Sequence, residues 1–238
     1  MTVRNELDRI RSEYARRAQD PRLHGLYSPA RPDVLLAMQI RERAILRMLR
    51  KTGMVHLSRL DVLDMGCGSG GVLLDLLRCG ADPARLHGCD LLPERVRSAR
   101  RRLPVATFLA VADGGNLPYP AARFDLVLQF TVFTSVLDGD LRARIAGEMW
   151  RVLRPGGAVL SYDFRFRGRN PAVRAIHPRE IRALFPEGAF THRRVTLAPP
   201  IARRLARWSW RACELLHALH WLRTHDLVLV KKPEVRDA

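Results

Sequence analysis

Apolar positions change period along this chain. Over 2–19, Leu7, Ile10, Tyr14 and Ala18 recur at three- to four-residue spacing among charged residues, which predicts an amphipathic helix stopped by Pro21. A connector over 22–32 holds Tyr27-Ser28-Pro29. A second helix is predicted over 33–51, with Leu35, Leu36, Gln39, Ile40, Ala44, Leu46 and Leu49 on or near one face and Gly53 past its end. Short apolar runs then alternate with helical ones. Strands are predicted over 60–64, 85–90, 105–112, 124–130 and 158–163, and helices over 70–78, 93–102 and 138–153. Such alternation implies a doubly wound, mostly parallel sheet with right-handed crossovers. The last third departs from it: an Arg-rich irregular stretch over 164–178, a short helix over 178–185 and a strand over 190–197. One long helix over 201–222 follows, and then a seventh strand over 225–231. The expected organisation is a helical extension or lid over 1–53, placed before an α/β domain over 54–238 that carries a late helical insertion.

The first strand leads into Asp64-Met65-Gly66-Cys67-Gly68-Ser69-Gly70-Gly71 and then an apolar helix. A strand, a glycine turn and a helix N-terminus make a nucleotide-type site, because glycine lets a ligand approach bare backbone and the helix start presents unpaired N–H groups. Gly66, Gly68 and Gly71 satisfy the G-x-G-x-x-G pattern of dinucleotide sites. Asp64, two residues ahead, shifts the balance: a carboxylate there repels a pyrophosphate and attracts the ammonium of an amino-acid moiety.

Composition sets the outer bounds. The 238 residues are 47% hydrophobic, enough for one sizeable domain with a real core. The net charge of +17 rests almost wholly on arginine, since Lys51, Lys231 and Lys232 are the only lysines. A solvated basic surface is the ordinary reading, with nucleic acid or an anionic membrane as the alternatives. Cys67, Cys79, Cys89 and Cys213 form no C-x-x-C pair and no disulfide framework, which suits a reducing compartment. No signal-peptide core and no apolar run of about 18 residues is present, so a soluble, cytoplasmic protein is expected.

In doubly wound sheets ligands sit at the carboxyl ends of the strands. Four predicted strands end in, or run into, polar residues: Asp64, Asp90, Asp113 and Gln129. Asp90 is placed to accept from ribose hydroxyls, or alternatively to cap the helix opened by Pro93. Asp113-Gly114 can hold adenine or make an ordinary Asp-Gly turn.

From about residue 58 to 163 the order of these features resembles the class I S-adenosylmethionine-dependent methyltransferases, in their small-molecule branch. Asp64-x-Gly66-x-Gly68-x-Gly70 stands as that family's glycine motif, and Asp90 as its acidic end of strand two. Asp113 with Leu117-Pro118-Tyr119, followed by Phe124-Asp125-Leu126-Val127, resembles the segment around strand four. Leu153-Arg154-Pro155-Gly156-Gly157 matches the turn before strand five. The resemblance implies S-adenosyl-L-methionine as cofactor. It places Asp64, Gly66, Cys67, Gly68 and Gly70 at the methionine end, and Asp90 with Leu91 at ribose and adenine. Asp113 with Gly114 then falls at adenine, and Gln129 with Phe130 near the sulfonium. It also implies an antiparallel last strand, where 225–231 fits.

A sulfonium methyl is already electrophilic, so an enzyme of this kind mainly aligns a nucleophile and excludes water; an oxygen nucleophile often needs a base as well. Asp163, His177 and Tyr14 are the candidate catalytic groups, with Tyr27 beside Tyr14 on the lid. Gln129-Phe130-Thr131-Val132-Phe133 stands where methyltransferases of DNA adenine and protein glutamine carry Asn-Pro-Pro-aromatic, so no DNA partner is expected. His217, His220 and His225 lack a Cys or carboxylate to complete a metal site, and no metal is expected. The helix over 201–222 sets Trp208, Trp210 and Trp221 among arginines, as a lid, a dimer face or an attachment to anionic lipid. Residues 1–32 and 164–222 are expected to form the acceptor pocket together, in a monomer or homodimer. The first functional reading is methyl transfer to oxygen or nitrogen of a small biosynthetic acceptor. RNA methylation, a non-catalytic cofactor-binding protein and a dinucleotide oxidoreductase follow it.

Overall fold

The computed structural model describes residues 3–23, 25–166 and 170–234. Thr2 of the expected first helix and Arg167, Gly168 and Arg169 of the expected cap lie outside the described residues, as do residues 235–238 of the expected main domain.

Five parallel strands, β1 (Val62–Met65), β2 (Leu86–Asp90), β3 (Phe108–Val111), β4 (Phe124–Phe130) and β5 (Leu153–Phe164), form most of one sheet. β6 (Ala189–Leu197) and β7 (Arg223–Lys231) complete it, in the order β3-β2-β1-β4-β5-β7-β6. β7 runs antiparallel to both of its neighbours, as the resemblance implied. The strand order reverses between β1 and β4, which opens a crevice at their carboxyl ends.

Both faces of the sheet are covered. On one, α2 (Pro32–Lys51), α3 (Gly71–Arg78) and α4 (Pro93–Arg100) set Met48, Leu49, Leu73 and Val96 against Val62, Leu86, Leu128 and Leu160. On the other, α1 (Val3–Gln19), α5 (Gly139–Val152) and α6 (Pro178–Leu184) set Ile10, Ile145, Met149 and Ile181 against Leu63, Val127, Val159 and Val228. β1 is buried at all four positions, which is why it reads as an unbroken apolar run up to its acid.

Three elements differ from their expected form. β3 is short, because Val105 is fully exposed and only Phe108–Val111 pairs with β2. β5 begins at Leu153, and the Arg154-Pro155-Gly156-Gly157 turn is a bulge inside it: Leu153 pairs with Phe124 and Ala158 with Leu126. The long helix over 201–222 is two, α7 (Pro199–Leu205) and α8 (Trp210–Ala218), followed by a short 3-10 turn, His220–Leu222. Ser209 causes the restart, its hydroxyl accepting from the Ala212 amide at 3.1 Å as an N-cap.

Candidate functional site

A cavity of about 890 Å3 opens at the carboxyl ends of β1, β2, β4 and β5. Its floor is the turn after β1. The Gly66 and Cys67 amides both donate to the Cys89 carbonyl, at 2.8 and 2.9 Å, and the Gly68 amide donates to Asp90 Oδ2 at 2.8 Å. The turn is thereby tied to the end of β2. Gly66 has φ of +76°, and a Cβ there would lie 2.3 Å from Val132 Cγ2, so only glycine fits.

Asp64 is an unsatisfied acid in the cavity wall. It is 1% exposed, and its Oδ2 has no hydrogen-bond partner. Burial, reinforced by Asp90, raises its pKa from the ordinary 3.8 to about 7, and Arg41 partly offsets this. Asp90 accepts from the Gly68 and Leu92 amides, one on each oxygen, and still faces the cavity. Asp113 accepts from the Gly115 amide at 2.8 Å and, with Leu91 and Gly114, also lines it. Burial pushes the Cys67 thiol far up and Cys89 to about 12, so both stay neutral thiols in the wall.

The structure brings together Asp64, Gly66, Cys67, Gly68, Asp90, Leu91, Asp113, Gly114, Phe130 and Tyr14 around this cavity. Four of the expected site residues stand elsewhere. Gly70 opens α3 from behind the turn, where a Cβ would meet Leu103 at 2.7 Å; it serves close packing. Gln129 and Asp163 face the other side of the sheet. There Gln129 Nε2 donates to Ser161 Oγ and to Asp163 Oδ2, while its Oε1 accepts from the Val132 and Phe133 amides. Asp163 accepts from the Thr134 amide at 3.3 Å, and burial raises its pKa to about 6. This network pins the turn after β4, whose Thr131, Val132, Ser135 and Val136 do line the cavity. His177 precedes α6, and its amide donates to Glu180 at 3.1 Å in a capping arrangement.

The cavity's roof comes from the N-terminal helices: Leu7, Ile10 and Tyr14 of α1, Tyr27 and Pro29 of the connector, and Val34, Met38 and Arg41 of α2. Glu6 anchors α1. It is fully buried, pairs with Arg9 at 2.7 Å and accepts from the Leu137 amide at 2.5 Å. No described residue of 164–222 lines the cavity, so the expected cap is not part of this wall. Sequence reasoning missed Arg41. Its guanidinium pairs with Asp75 at 2.9 Å and lies 5.5 and 5.6 Å from the ring centres of Phe130 and Tyr162. The signal was a second stripe on α2, Val34-Met38-Arg41, beside the Leu36-Ile40 stripe.

The three histidines weighed as metal ligands go separate ways. His225 stacks on Tyr162 at 4.8 Å, His220 sits against Trp221, and His217 is half-buried on α8. Among the described residues no cluster of three or more His, Cys, Asp or Glu could hold a metal.

The donor set fits S-adenosylmethionine. Asp64 offers a buried, unpartnered carboxylate oxygen, and Asp90 at the end of β2 and Asp113 just past β3 add carboxylates to the same crevice, where a nucleoside would lie. Residues 62–157 match the family model described as a methyltransferase domain. Residues 62–157 thus form a methyltransferase domain of the S-adenosylmethionine-dependent kind. Among curated relatives, norajmaline N-methyltransferase of Rauvolfia serpentina is 30% identical over 129 residues, 52% of this chain and 42% of that one. Fatty-acid O-methyltransferase of Mycolicibacterium smegmatis is 38% identical over 110 residues, 44% of this chain and 38% of that one. The aligned stretch thus spans less than half the length of these relatives. Phosphoethanolamine N-methyltransferase 2 of Haemonchus contortus, solved with S-adenosyl-L-methionine, shares the fold at a TM-score of 0.58 and 17% identity, over 81% of this chain and 53% of that one. The matched stretch begins at Val62, after α2, and α1 and α2 both contribute residues to the cavity wall.

Proposed function

We propose that the protein transfers a methyl group from S-adenosylmethionine to an oxygen or nitrogen of a small, largely apolar molecule. The observation that carries the reading is one continuous cavity. It runs from the strand-end acids Asp64, Asp90 and Asp113 to a chamber walled by Leu7, Ile10, Val34, Met38 and Val132. Its volume falls within the range of small-molecule sites. Two of the relatives are named for N-methylation of norajmaline and O-methylation of a fatty acid.

When bound, the cofactor supplies an electrophilic methyl. The chain's own residues hold and shield it. Asp64 receives an ammonium, Asp90 receives ribose hydroxyls, and Asp113 with Gly114 receives the base. Ile10, Phe130 and Val132 exclude water from the acceptor side. The hydroxyls of Tyr14, Tyr27, Thr131 and Ser135 are there to orient an acceptor. No imidazole and no glutamate is among the described lining residues, so the nucleophile is best matched when it arrives with a free lone pair, as a carboxylate or a neutral amine.

Calorimetry with S-adenosylhomocysteine, followed by a methyl-transfer assay over panels of apolar carboxylic acids, amines and phenols, tests this. Micromolar binding and turnover on at least one panel are expected. No heat from S-adenosylhomocysteine, or turnover on RNA alone, would overturn it.

A further inference from the structure

The α7–α8 hairpin has one face that is accounted for. Ala202, Ala206 and Cys213 pack inward on Leu36 and Ile40 of α2 and on Leu197 of β6. The outward face is unusual for a soluble surface. Trp208, in the connection between the helices, is 82% exposed, Leu215 is 73% exposed and Trp221 is 61% exposed. Arg203, Arg204, Arg207 and Arg211 are exposed among them. The sole carboxylate over 199–222 is Glu214, and Arg43 already pairs with it at 3.3 Å. Among the described residues, Arg204, Arg207 and Arg211 make no ion pair; Arg203 comes within 3.8 Å of Asp33.

We propose that this hairpin is a docking surface for an anionic lipid bilayer. Indole rings are amphipathic and favour the interfacial zone, where the ring meets acyl chain and the N–H meets water or headgroup. Guanidinium groups around them pair with lipid phosphates. Apolar rings interleaved with unpaired arginines on a short helical element are the pattern of interfacial attachment. No helix among the described residues is long and apolar enough to cross a membrane, so the contact is peripheral.

Two other occupants fit the same face less well. A two-fold dimer through it would set the arginine row of one copy against that of the other, since such an interface uses one patch twice. Single-stranded RNA is held in basic grooves floored by aromatic rings, whereas these rings stand on the outside of a two-helix projection. The placement also carries a consequence. α2 meets the hairpin through Leu36 and Ile40 and lines the cavity through Val34, Met38 and Arg41. A bound bilayer would lie about two helix diameters, roughly 20 Å, from the cavity.

The test is co-flotation of the full chain with phosphatidylcholine vesicles that contain or lack phosphatidylglycerol, at low and high salt. Tryptophan quenching by brominated acyl chains gives a second readout. Flotation with the anionic vesicles alone, release by salt and quenching are expected. Arg204→Gln, Arg207→Gln and Arg211→Gln should each weaken binding about fivefold. Trp208→Ala with Trp221→Ala should remove most of the quenching while the melting temperature and S-adenosylhomocysteine affinity stay unchanged. Absence of flotation, equal flotation with neutral vesicles, or undiminished binding by the triple arginine variant would each overturn the proposal. So would dimerisation or RNA binding that depends on these residues while vesicles are ignored.

Discussion

The Gly68 amide donates to Asp90 Oδ2 at 2.8 Å while the Leu92 amide donates to the other oxygen at 3.0 Å. One carboxylate at the end of β2 thus organises both turns that border the cavity, and it leaves lone pairs for a ligand. Asp90→Ala strands two buried amides, which costs roughly 2–3 kcal/mol, and it removes the acceptor for ribose. Asp90→Asn keeps shape and one acceptor. The expected result is a lowered melting temperature in both variants, since Asp90→Asn turns its NH2 onto either the Gly68 or the Leu92 amide, and loss of at least tenfold in S-adenosylhomocysteine affinity in both.

Asp64 links the site to pH. Its folded pKa of about 7 lies above the ordinary 3.8, because burial opposes its charge. A raised folded pKa gives stability that is present below the ordinary value and lost as pH rises through the folded value. Relative to Asp64→Asn, the ligand-free protein should therefore lose stability between about pH 4 and 7. The shift corresponds to a few kcal/mol in order of magnitude. A ligand ammonium needs the ionised form, so S-adenosylhomocysteine affinity should rise from pH 6 to 8 and stay flat in Asp64→Asn. Thermal melts and calorimetry over that range check both slopes.

Glu6 fastens α1 from a fully buried position. Burial works to raise its pKa, but Arg9 and the Leu137 and Asp138 amides outweigh it and hold the carboxyl below its usual range. Its contribution is thus present above the usual carboxylate pKa and lost as pH falls through the lower folded value. Glu6→Gln leaves Arg9 without its charge partner and should cost about 1–3 kcal/mol. Since α1 supplies Leu7, Ile10 and Tyr14 to the roof, the acceptor KM should rise while S-adenosylhomocysteine affinity holds. Limited proteolysis should cut α1 first.

The succession of strands along the chain and the cavity-lining acids at 64, 90 and 113 were legible because β1 and β2 are buried strands with their acids at or near their tips, next to glycine or a helix start. What the sequence could not show was parity. Side chains alternate across a strand, so of each adjacent pair at the tips of β4 and β5 only one faces the cavity. Phe130 and Tyr162 do; Gln129 and Asp163 face the opposite layer and hold the next turn. Nothing in the polar character of those residues reveals which of each pair faces the cavity. The split of 201–222 was hidden for a different reason: the apolar rhythm runs on through Ser209, and only the hydroxyl's cap distinguishes a restart from a continuing helix.

Arg41 was unread because it sits in an otherwise apolar stripe, yet it is the cation that tempers Asp64. It is fixed by Asp75 and by the faces of Phe130 and Tyr162, so its charge is held close to the strand tips. Among the groups acting on the Asp64 pKa it is the one that lowers it, against Asp90 and Asp75, which raise it. Arg41→Gln removes that opposition. The Asp64 midpoint should then move upward, and the rise of S-adenosylhomocysteine affinity with pH should shift to higher pH by the same amount. Arg41→Lys keeps the charge but loses the planar stacking on the two rings, so it should restore much of the midpoint while lowering the melting temperature. If affinity falls equally at every pH in Arg41→Gln, the guanidinium contacts the ligand itself rather than acting through Asp64.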